Sequence, residues 1–529
     1  MAVITPNTDL YLLKVPLEID SVNQLTIANA TAQFNYFNSL PKLAVDDFTY
    51  QRKDGTIRFS ANFDEIVTYN YVMYRNTEYS NKWFYAYITD IEYLNDSVSA
   101  VAIKTDVWQT WQFDLTYKPV FVEREHVNDD TIGSNTIQEG LELGEFVTNG
   151  VTSLYPNKSI TDYDGHAITG LENPIFFQVS ELASGISIAT SMFESAYNNV
   201  FSGLYYFAVT SYSAARSIID RYIGKQQSII SIFIAPKQFL AGAKVFGELG
   251  YNIYIPQNNG IPYQLLDNTT ITRPTTLDGY TPKNNKLFVY PFSYLYITNN
   301  TGNDTEFRYE DFVSATPKFN IKGALGQGCT TKLIPYDYKK GNDMYEYGMT
   351  GAKYPICAWS SDYYTNWMTQ NAVNVGLGIT SGLISTGANL ISGNAVGTAN
   401  SLLSGIGGVM SQIYQAKMHP DQAYGNLNSS DLLPSTGKYF SVVKMSLRYE
   451  IARSIDNYFS QVGYRVNRVK IPNITGRRNW NFVKTQGCYI DADIPQTDLD
   501  EIKGLFDKGV TFWHNPATFA DYSQNNDII

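Results

Sequence analysis

Residues 83–105, WFYAYITDIEYLNDSVSAVAIKT, carry the clearest fold signal in this chain. Aromatic and β-branched residues, which favour pleated strands, fill both ends of the stretch. Between them lies Asn95-Asp96-Ser97, a combination typical of a tight turn. We therefore predict a β-hairpin with strands at 83–93 and 98–105.

The strand pattern recurs along the chain, and helical patterns are few. Apolar residues alternate with polar ones at 57–63 and at 443–451, where the odd positions Val443, Met445 and Leu447 predict the buried face. Apolar runs predict further strands at 229–234, 287–298 and 510–513. Helices are predicted at 213–222 and from an N-cap at Thr497 to a stop at Gly509. The fold class is mainly β with minor α (α+β).

Composition narrows the classes of function. The chain has 529 residues, a net charge of -11 and no run of four basic residues, so stable nucleic-acid binding is not expected. An acidic surface still suits a conduit through which DNA slides without sticking. Three cysteines far apart in sequence predict neither a disulfide framework nor a paired-cysteine metal site. The first 25 residues lack the pattern of a secretion signal, so folding in the cytosol is expected.

Residues 363–416 differ from the rest of the chain. They contain no Asp, Glu, Lys or Arg over 54 residues, although 17% of the whole chain is charged. Nine glycines lie between Gly376 and Gly408, mixed with small polar residues and regularly spaced aliphatic ones. A soluble helix would show a charged face and a soluble linker would lack the aliphatics, so this segment must be covered by something apolar.

The segment has the length of a membrane hairpin. Residues 371–392 would span about 33 Å as a helix, close to a hydrocarbon core of about 30 Å. Gly393-Asn394 provides a turn, and residues 395–412 provide a return. Buried asparagines would need partners in lipid, which several copies could supply through close small-residue packing. From the residues alone, a membrane-active loop and a buried plug remain equally open.

Catalytic, metal and cofactor motifs are absent from the sequence. The four histidines are dispersed, and there is no HExxH, paired-cysteine zinc pattern or P-loop. We expect no enzyme, catalytic residue, metal or cofactor. Two hypotheses remain as alternatives: a cell-wall hydrolase using Glu123 or Glu125 as its acid, with a second acidic group at 491–500, and a carbohydrate-binding receptor protein that uses the abundant Tyr, Trp and Asn.

Several blocks resemble the tail knob proteins of small short-tailed phages of Gram-positive bacteria, the picovirus group. Near the N-terminus the resemblance lies in residues 81–87 (NKWFYAY), 106–111 (DVWQTW) and 122–127 (VEREHV). Near the C-terminus it lies in 463–467 (GYRVN), 470–473 (KIPN), 478–485 (RNWNFVKT), 494–495 (IP) and 511–515 (TFWHN). The blocks keep the family order around the apolar segment, whereas residues 128–330 match nothing specific.

The resemblance implies tail-tube or hub-like β-domains that form a hexameric tube at the distal tail. It implies tube parts at 1–126, 286–362 and 417–529 and a membrane-active loop at 363–416. Such loops plug the channel and later help to penetrate the host membrane and form a pore for DNA ejection. The mixed pattern of loops, one helix and one apolar run at 127–285 predicts a separate, inserted outer domain there. The implied partners are other copies of the chain, other phage tail proteins, the host cell membrane and DNA in passage. Contact with cell-wall glycan is the further partner that the carbohydrate-binding alternative predicts. The chain would be made in the host cytoplasm and reside in the virion.

The predicted loop residues are aliphatic side chains and glycines of the charge-free segment. They are Val375, Gly376, Gly378, Ile379, Gly382, Leu383, Ile384, Leu390, Ile391, Gly393, Gly397, Leu402, Leu403, Ile406, Val409, Met410 and Ile413.

Overall fold

The chain is described by a computed structural model. It covers residues 8–19, 22–48, 55–76, 81–157, 159–188, 196–197, 200–201, 204–223, 225, 228–257, 263–323, 325, 331–338, 349–350, 356–360, 424–427 and 439–528. The predicted membrane-active loop at 363–416 lies outside these residues.

Strands dominate the described residues, which confirms the mainly β prediction. In chain order the strands are β1 Thr8–Leu13, β2 Asn23–Leu25, β3 Lys42–Phe48, β4 Thr56–Phe59, β5 Tyr71–Asn76, β6 Trp83–Asn95, β7 Val98–Thr105, β8 Thr116–Tyr117, β9 Val120–Glu125, β10 Phe146–Leu154, β11 Ile175–Val179, β12 Ala196–Tyr197, β13 Val200–Phe201, β14 Tyr205–Val209, β15 Ile229–Ile234, β16 Lys244–Glu248, β17 Tyr251–Ile255, β18 Tyr263–Thr270, β19 Ser293–Thr298, β20 Asp304–Phe307, β21 Lys318–Gly323, β22 Thr331–Tyr336, β23 Met349–Thr350, β24 Ile356–Ser360, β25 Tyr424–Leu427, β26 Phe440–Leu447, β27 Tyr464–Lys470, β28 Trp480–Gln486, β29 Ile490–Asp491 and β30 Val510–Trp513. The α-helices are α1 Ala30–Ser39, α2 Phe63–Ile66, α3 Val107–Trp111, α4 Tyr212–Arg221, α5 Tyr449–Val462 and α6 Gln496–Lys508.

The contacts divide the chain into two units. Unit 1 contains residues 1–144, 279–287 and 449–529, and unit 2 contains residues 145–278 and 288–448. The chain therefore enters and leaves unit 2 twice. The functional division predicted from the sequence, into tube parts, outer domain and loop, stays a prediction.

Unit 1 is built on two main sheets. A six-stranded sheet has the order β3-β1-β5-β6-β7-β4, and a five-stranded sheet has the order β2-β30-β28-β9-β27. The predicted hairpin forms strands β6 and β7 of the six-stranded sheet, with Asn95 opposite Val98 across the turn. The five-stranded sheet joins strands from both ends of the sequence, with Trp108 packed 4.5 Å from Phe512 between ring centroids.

Unit 2 contains three larger sheets. Their orders are β16-β17-β14-β11-β15-β24-β25, β10-β26-β19-β20 and β18-β21-β22-β23. In the seven-stranded sheet, β15 is covered on both faces, because Phe233 packs in one apolar cluster and Ile232 in another. This explains why the predicted strand at 229–234 is apolar at every position except Ser231.

Local sequence signals set most helix boundaries. Ser211 caps α4 by accepting a hydrogen bond from the backbone of Ala214 at 3.2 Å, which places the predicted helix within one residue of the observed one. Gly509, at φ +95°, ends α6 as predicted. The predicted N-cap at Thr497 is wrong, because α6 begins at Gln496 directly after Pro495. Proline, with its fixed φ and no N–H to satisfy, suits a helix start.

Three strand predictions need correction. The 57–63 strand ends at Phe59, because Asn62 caps α2. The 287–298 strand begins only at Ser293, after a 3₁₀ turn at Asn285–Phe288.

The predicted strand at 443–451 ends at Leu447, because helix α5 starts at Tyr449. Its buried face was also wrong in part. Val442 and Ser446 are buried, whereas Val443 and Met445 are half-buried. Alternation separates two faces of a strand but does not say which one is covered, and β26 has neighbours on both sides.

Candidate functional site

The base of the predicted membrane-active loop lies in the described part of unit 2. Strands β24 and β25 flank the segment in sequence and pair antiparallel with each other. Ser360 lies opposite Tyr424, and Cys357 lies opposite Leu427. Residues directly opposite in such a ladder are about 5 Å apart between Cα atoms. The chain therefore leaves this sheet at residue 360 and returns to it beside the same point at residue 424.

This base is attached to a buried strand. Strand β24 pairs on its other side with β15, where Ile232 lies opposite Cys357 and Phe233 opposite Ile356. Phe176 of β11 stacks on Phe233 with ring centroids 5.4 Å apart. Since both faces of β15 are covered, the hydrogen bonds to β24 fix the loop base to a closely packed core.

The seventeen predicted loop residues, from Val375 to Ile413, all lie outside the described residues. Within the described ranges, every helix is too short or too polar to cross a bilayer. The loop assignment therefore stays a prediction that rests on composition and on the resemblance to the phage family, to which the geometry of its base is now added.

The two candidate acids of the hydrolase hypothesis are each held by a lysine. Glu123 contacts Lys484 at 3.0 Å, and the hydrogen bond from this lysine lowers the pKa of the carboxyl group. Glu125 is fully buried and contacts Lys470, while the backbone N–H of Asn473 donates to its second oxygen at 2.9 Å. Burial raises the pKa of Glu125, and the Lys470 hydrogen bond opposes that rise. Both carboxylates thus serve as partners in strand-to-strand contacts.

The acidic residues at 491–500 are similarly engaged. Asp498 is buried and accepts a hydrogen bond from the indole of Trp111 at 2.9 Å. Asp500 accepts one from Gln496 at 2.6 Å. In the part of the chain that the structure describes, no group of three His, Cys, Asp or Glu side chains is placed to hold a metal ion.

A buried ionic cluster in unit 1 has no counterpart among the sequence predictions. Glu139 contacts Arg124 and Lys286, and both Glu139 and Lys286 have side chains only 1% exposed. Burial lowers the pKa of Lys286, and the adjacent Glu139 opposes this. The backbone N–H of Arg465 also donates to Glu139, at 2.9 Å. One carboxylate therefore ties β9, β27 and the segment 279–287 together.

Asp456 of α5 holds the same segment from the other side. It accepts hydrogen bonds from the Tyr280 hydroxyl at 2.7 Å, the Lys283 backbone at 2.8 Å and the Asn284 backbone at 3.0 Å. The Asp456 side chain is completely buried. A single i,i+3 or i,i+4 pattern cannot reveal such a contact, because the partners lie more than 170 positions apart in the chain.

Three of the sequence blocks that resemble the phage family contact one another in the five-stranded sheet of unit 1. The block at 122–127 contacts the block at 470–473, because Asn473 Nδ2 donates to the carbonyl of His126 at 2.9 Å. The block at 478–485 joins them through the Phe482 backbone N–H, which donates to His126 Nδ1 at 2.8 Å. Although these three blocks lie far apart in sequence, they contact one another within unit 1.

Comparison with protein-family models extends this resemblance. Residues 257–527 match the C-terminal domain of the tail knob protein gp9 of Bacillus phage phi29. Residues 7–116 match the N-terminus of the caudoviral major tail protein. The tail-tube relation expected for the first 126 residues therefore has independent support.

Curated relatives and a solved structure agree with these matches. The tail knob proteins gp9 of Bacillus phages phi29 and B103 are 26% and 27% identical to the chain, over 98% and 97% of both sequences respectively. The structure of the bacteriophage C1 tail knob protein, gp12, covers 99% of this chain and is itself covered completely, with a TM-score of 0.67. At 15% identity, this last likeness concerns the fold. Because the gp9 C-terminal model matches more than half of the sequence, the chain belongs to the phage tail knob protein family.

Proposed function

We propose that this chain is a structural component of a phage tail that assembles into a hexameric distal tube and carries a membrane-active loop. Its relatives are named as tail knob proteins, which supports a structural role in the virion tail. The tube, its partners and the membrane step are proposals. DNA passes through the tube without sequence-specific binding, in keeping with the net charge of -11.

The observation that carries the membrane step is the placement of the charge-free segment. Residues 363–416 lack charged side chains, and the flanking strands β24 and β25 are direct neighbours. An excursion that starts and ends at adjacent residues crosses a bilayer an even number of times. Two crossings fit the two predicted halves, 371–392 and 395–412, which are joined by Gly393-Asn394.

Several copies acting together solve the problem of polar groups in lipid. Asn374, Asn389 and Asn400 would each cost free energy if left unpaired in hydrocarbon. Six loops side by side supply hydrogen-bond partners, and the small residues allow close approach. Before infection, the same loops packed inside the tube keep their apolar surface away from water.

The membrane step is tested by dye release from liposomes. The wild-type assembly is expected to release dye, and a variant lacking residues 371–412 is expected not to. Ile384→Asp and Ile406→Asp place one charge in each half, at about 2.5–3.5 kcal/mol per copy near the centre of a bilayer. Both should therefore reduce leakage strongly.

A control variant separates the loop from the remainder of the chain. Val313→Asp adds the same charge at a position that is 67% exposed in unit 2, and it should leave leakage unchanged. Equal leakage by wild type and by the deletion variant would refute the loop assignment.

Self-assembly is supported by an exposed sheet edge in unit 1. Strand β27 is the last strand in the order of the five-stranded sheet, and Val469 is 71% exposed and Ile471 52% exposed. Val469 lies near the end of this edge strand and Ile471 lies just beyond it, and exposed apolar side chains at such an edge favour association with another chain. Val469→Asp should weaken assembly in sedimentation velocity, whereas Val313→Asp should not. A strictly monomeric wild type at high concentration would contradict the tube.

A further inference from the structure

A cleft of about 490 Å³ lies within unit 1 and plays no part in the proposed membrane step. Helix α5, the chain around Arg477 and the C-terminal residues form its walls. Its lining includes Lys283, Gln461, Arg477, Trp480, Tyr522 and Asn526. A volume of this size is in the range of small-molecule sites, roughly 300–1,000 Å³.

The floor of the cleft is fixed by the protein itself. Asn284 is 1% exposed, and its side-chain nitrogen donates to Asp456 Oδ1 at 2.8 Å. Trp480 is 1% exposed, and its indole donates to the Ser460 carbonyl at 3.1 Å. Because these groups are already held in position, a ligand would meet a preformed surface.

Two buried polar atoms at the cleft have no hydrogen-bond partner among the described residues. They are Arg477 Nε and Asn526 Oδ1. Arg477 is 6% exposed, and its Nη1 donates to the Asn526 carbonyl at 3.0 Å, which orients the guanidinium. A buried donor and a buried acceptor without partners are costly, and both belong to side chains of residues that line the cleft.

The rim of the cleft carries cationic, amide and aromatic side chains. Lys283 is exposed, and together with Arg477 it gives the cleft two cations against the one carboxylate of Asp527. The amides of Asn457, Gln461, Gln524 and Asn525 also line the cleft, and each can donate to and accept from a hydroxyl group. Tyr522 is 39% exposed and offers an aromatic surface at the rim. Amides and an aromatic ring suit a sugar, and the cations suit an anionic substituent.

We propose that this cleft binds a sugar that carries one phosphate or carboxylate group. Arg477 and Lys283 face the anion, and the amide side chains face the ring hydroxyls. The site is independent of the membrane-active loop, so a failure of one proposal leaves the other standing.

The ligand class is tested by isothermal titration of the assembled full-length protein with four probes. These are glucose 1-phosphate, glucuronate, neutral glucose and inorganic phosphate. The two charged sugars should bind measurably when titrated to concentrations of about 10 mM. Their binding should weaken as the salt concentration rises. Glucose and inorganic phosphate should each bind at least about tenfold more weakly, because each lacks half of the contacts.

Three results of the titration would contradict the proposal, each on a different point. Equal binding of inorganic phosphate and glucose 1-phosphate would overturn the sugar specificity. Equal binding of glucose would overturn the role of the cations. No binding of either charged sugar would overturn the site.

Variants place the binding in this cleft. Lys283→Gln removes an exposed charge while keeping the backbone N–H that donates to Asp456 at 2.8 Å, and it should weaken charged sugars about two- to fivefold. Arg477→Lys should weaken them about tenfold or more, since a lysine loses the planar guanidinium. Lys332→Gln removes an exposed lysine from unit 2 and should have no effect.

The variant results have one decisive comparison. If Lys283→Gln binds charged sugars as tightly as Lys332→Gln does, the cleft is not their site. This comparison does not depend on the folding of the Arg477→Lys variant, because Lys283 is exposed.

Discussion

Acid stability offers a direct test of how His126 is held in unit 1. The imidazole is completely buried, its Nδ1 accepts a hydrogen bond from the Phe482 backbone at 2.8 Å, and its Nε2 lies 3.1 Å from the Ser460 carbonyl. These bonds require the neutral ring, with its proton on Nε2. Burial, aided by the positive charge of Arg477, lowers the pKa of His126 from 6.5 to about 3.

The sign of the pH effect follows from this lowered pKa. Above pH 6.5 the ring is neutral in both the folded and the unfolded chain, so it adds no pH dependence. Below pH 6.5 His126 binds a proton in the unfolded chain but stays neutral in the folded chain. Stability therefore falls as the pH is lowered, until it reaches about 3. At pH 5 the loss amounts to about 2 kcal/mol relative to neutral pH.

The perturbation is His126→Gln, which keeps a hydrogen-bond donor and an acceptor but cannot titrate. Urea unfolding followed by tryptophan fluorescence reports mainly on unit 1, which holds Trp83, Trp108, Trp111, Trp480 and Trp513 out of seven tryptophans. Wild type should lose about 2 kcal/mol more than the variant between pH 7.5 and pH 5.

The change in the free energy of unfolding between pH 7.5 and pH 5 separates the titration of His126 from a packing defect caused by the substitution. A packing defect in His126→Gln lowers stability equally at both pH values, whereas only the loss of titration changes the difference between them. Buried carboxyl groups with raised pKa, such as Glu125 and Asp130, contribute with the opposite sign and are present in both proteins. His166→Gln, at a side chain 80% exposed in unit 2, is the control for replacing a histidine outside unit 1. Equal slopes for wild type and His126→Gln would refute the reasoning.

Two further predictions concern the packing of unit 1. Gly463→Ala should destabilise the protein by about 2 kcal/mol or more, because a Cβ at φ +66° would lie 2.2 Å from the backbone oxygen of Glu125. Gly279→Ala, at φ +80° with open space around it, should cost only about 1 kcal/mol, and equal midpoints in thermal unfolding would contradict the steric argument. Asp456→Ala should leave buried donors unpaired, cost about 3 kcal/mol and speed hydrogen exchange in residues 279–287, and unchanged exchange there would show that Asp456 does not hold the segment.

Local patterns in the sequence were sufficient for some parts of the fold. The hairpin of β6 and β7 follows from its aromatic strands and its Asn95-Asp96-Ser97 turn, since both are encoded by neighbouring residues. The end of α6 follows from Gly509, because the left-handed backbone there suits glycine. The start of α6 was placed too late, because Pro495 and Thr497 both suit a helix N-terminus and local pattern does not decide between them.

Long-range pairing decided the candidate sites. The Glu139 cluster joins residues as far apart as Arg124 and Arg465, and nothing in either local sequence indicates the other. The cleft depends on the C-terminal residues lying against α5, a contact made across 66 positions between Ser460 and Asn526. Such contacts arise only when segments distant in sequence pack against one another.

The sequence by itself determined that this chain is mainly β, that helix α6 ends at Gly509, and that residues 363–416 form a charge-free segment in an acidic protein. Those properties depend on side-chain chemistry and periodicity, which are local. Tertiary structure alone decided that β24 and β25 lie side by side, that Val442 rather than Val443 faces the core, and that the motif blocks at 122–127 and 470–473 meet. The physical reason is that burial and strand pairing depend on which distant segments cover a surface, and local pattern carries no record of that.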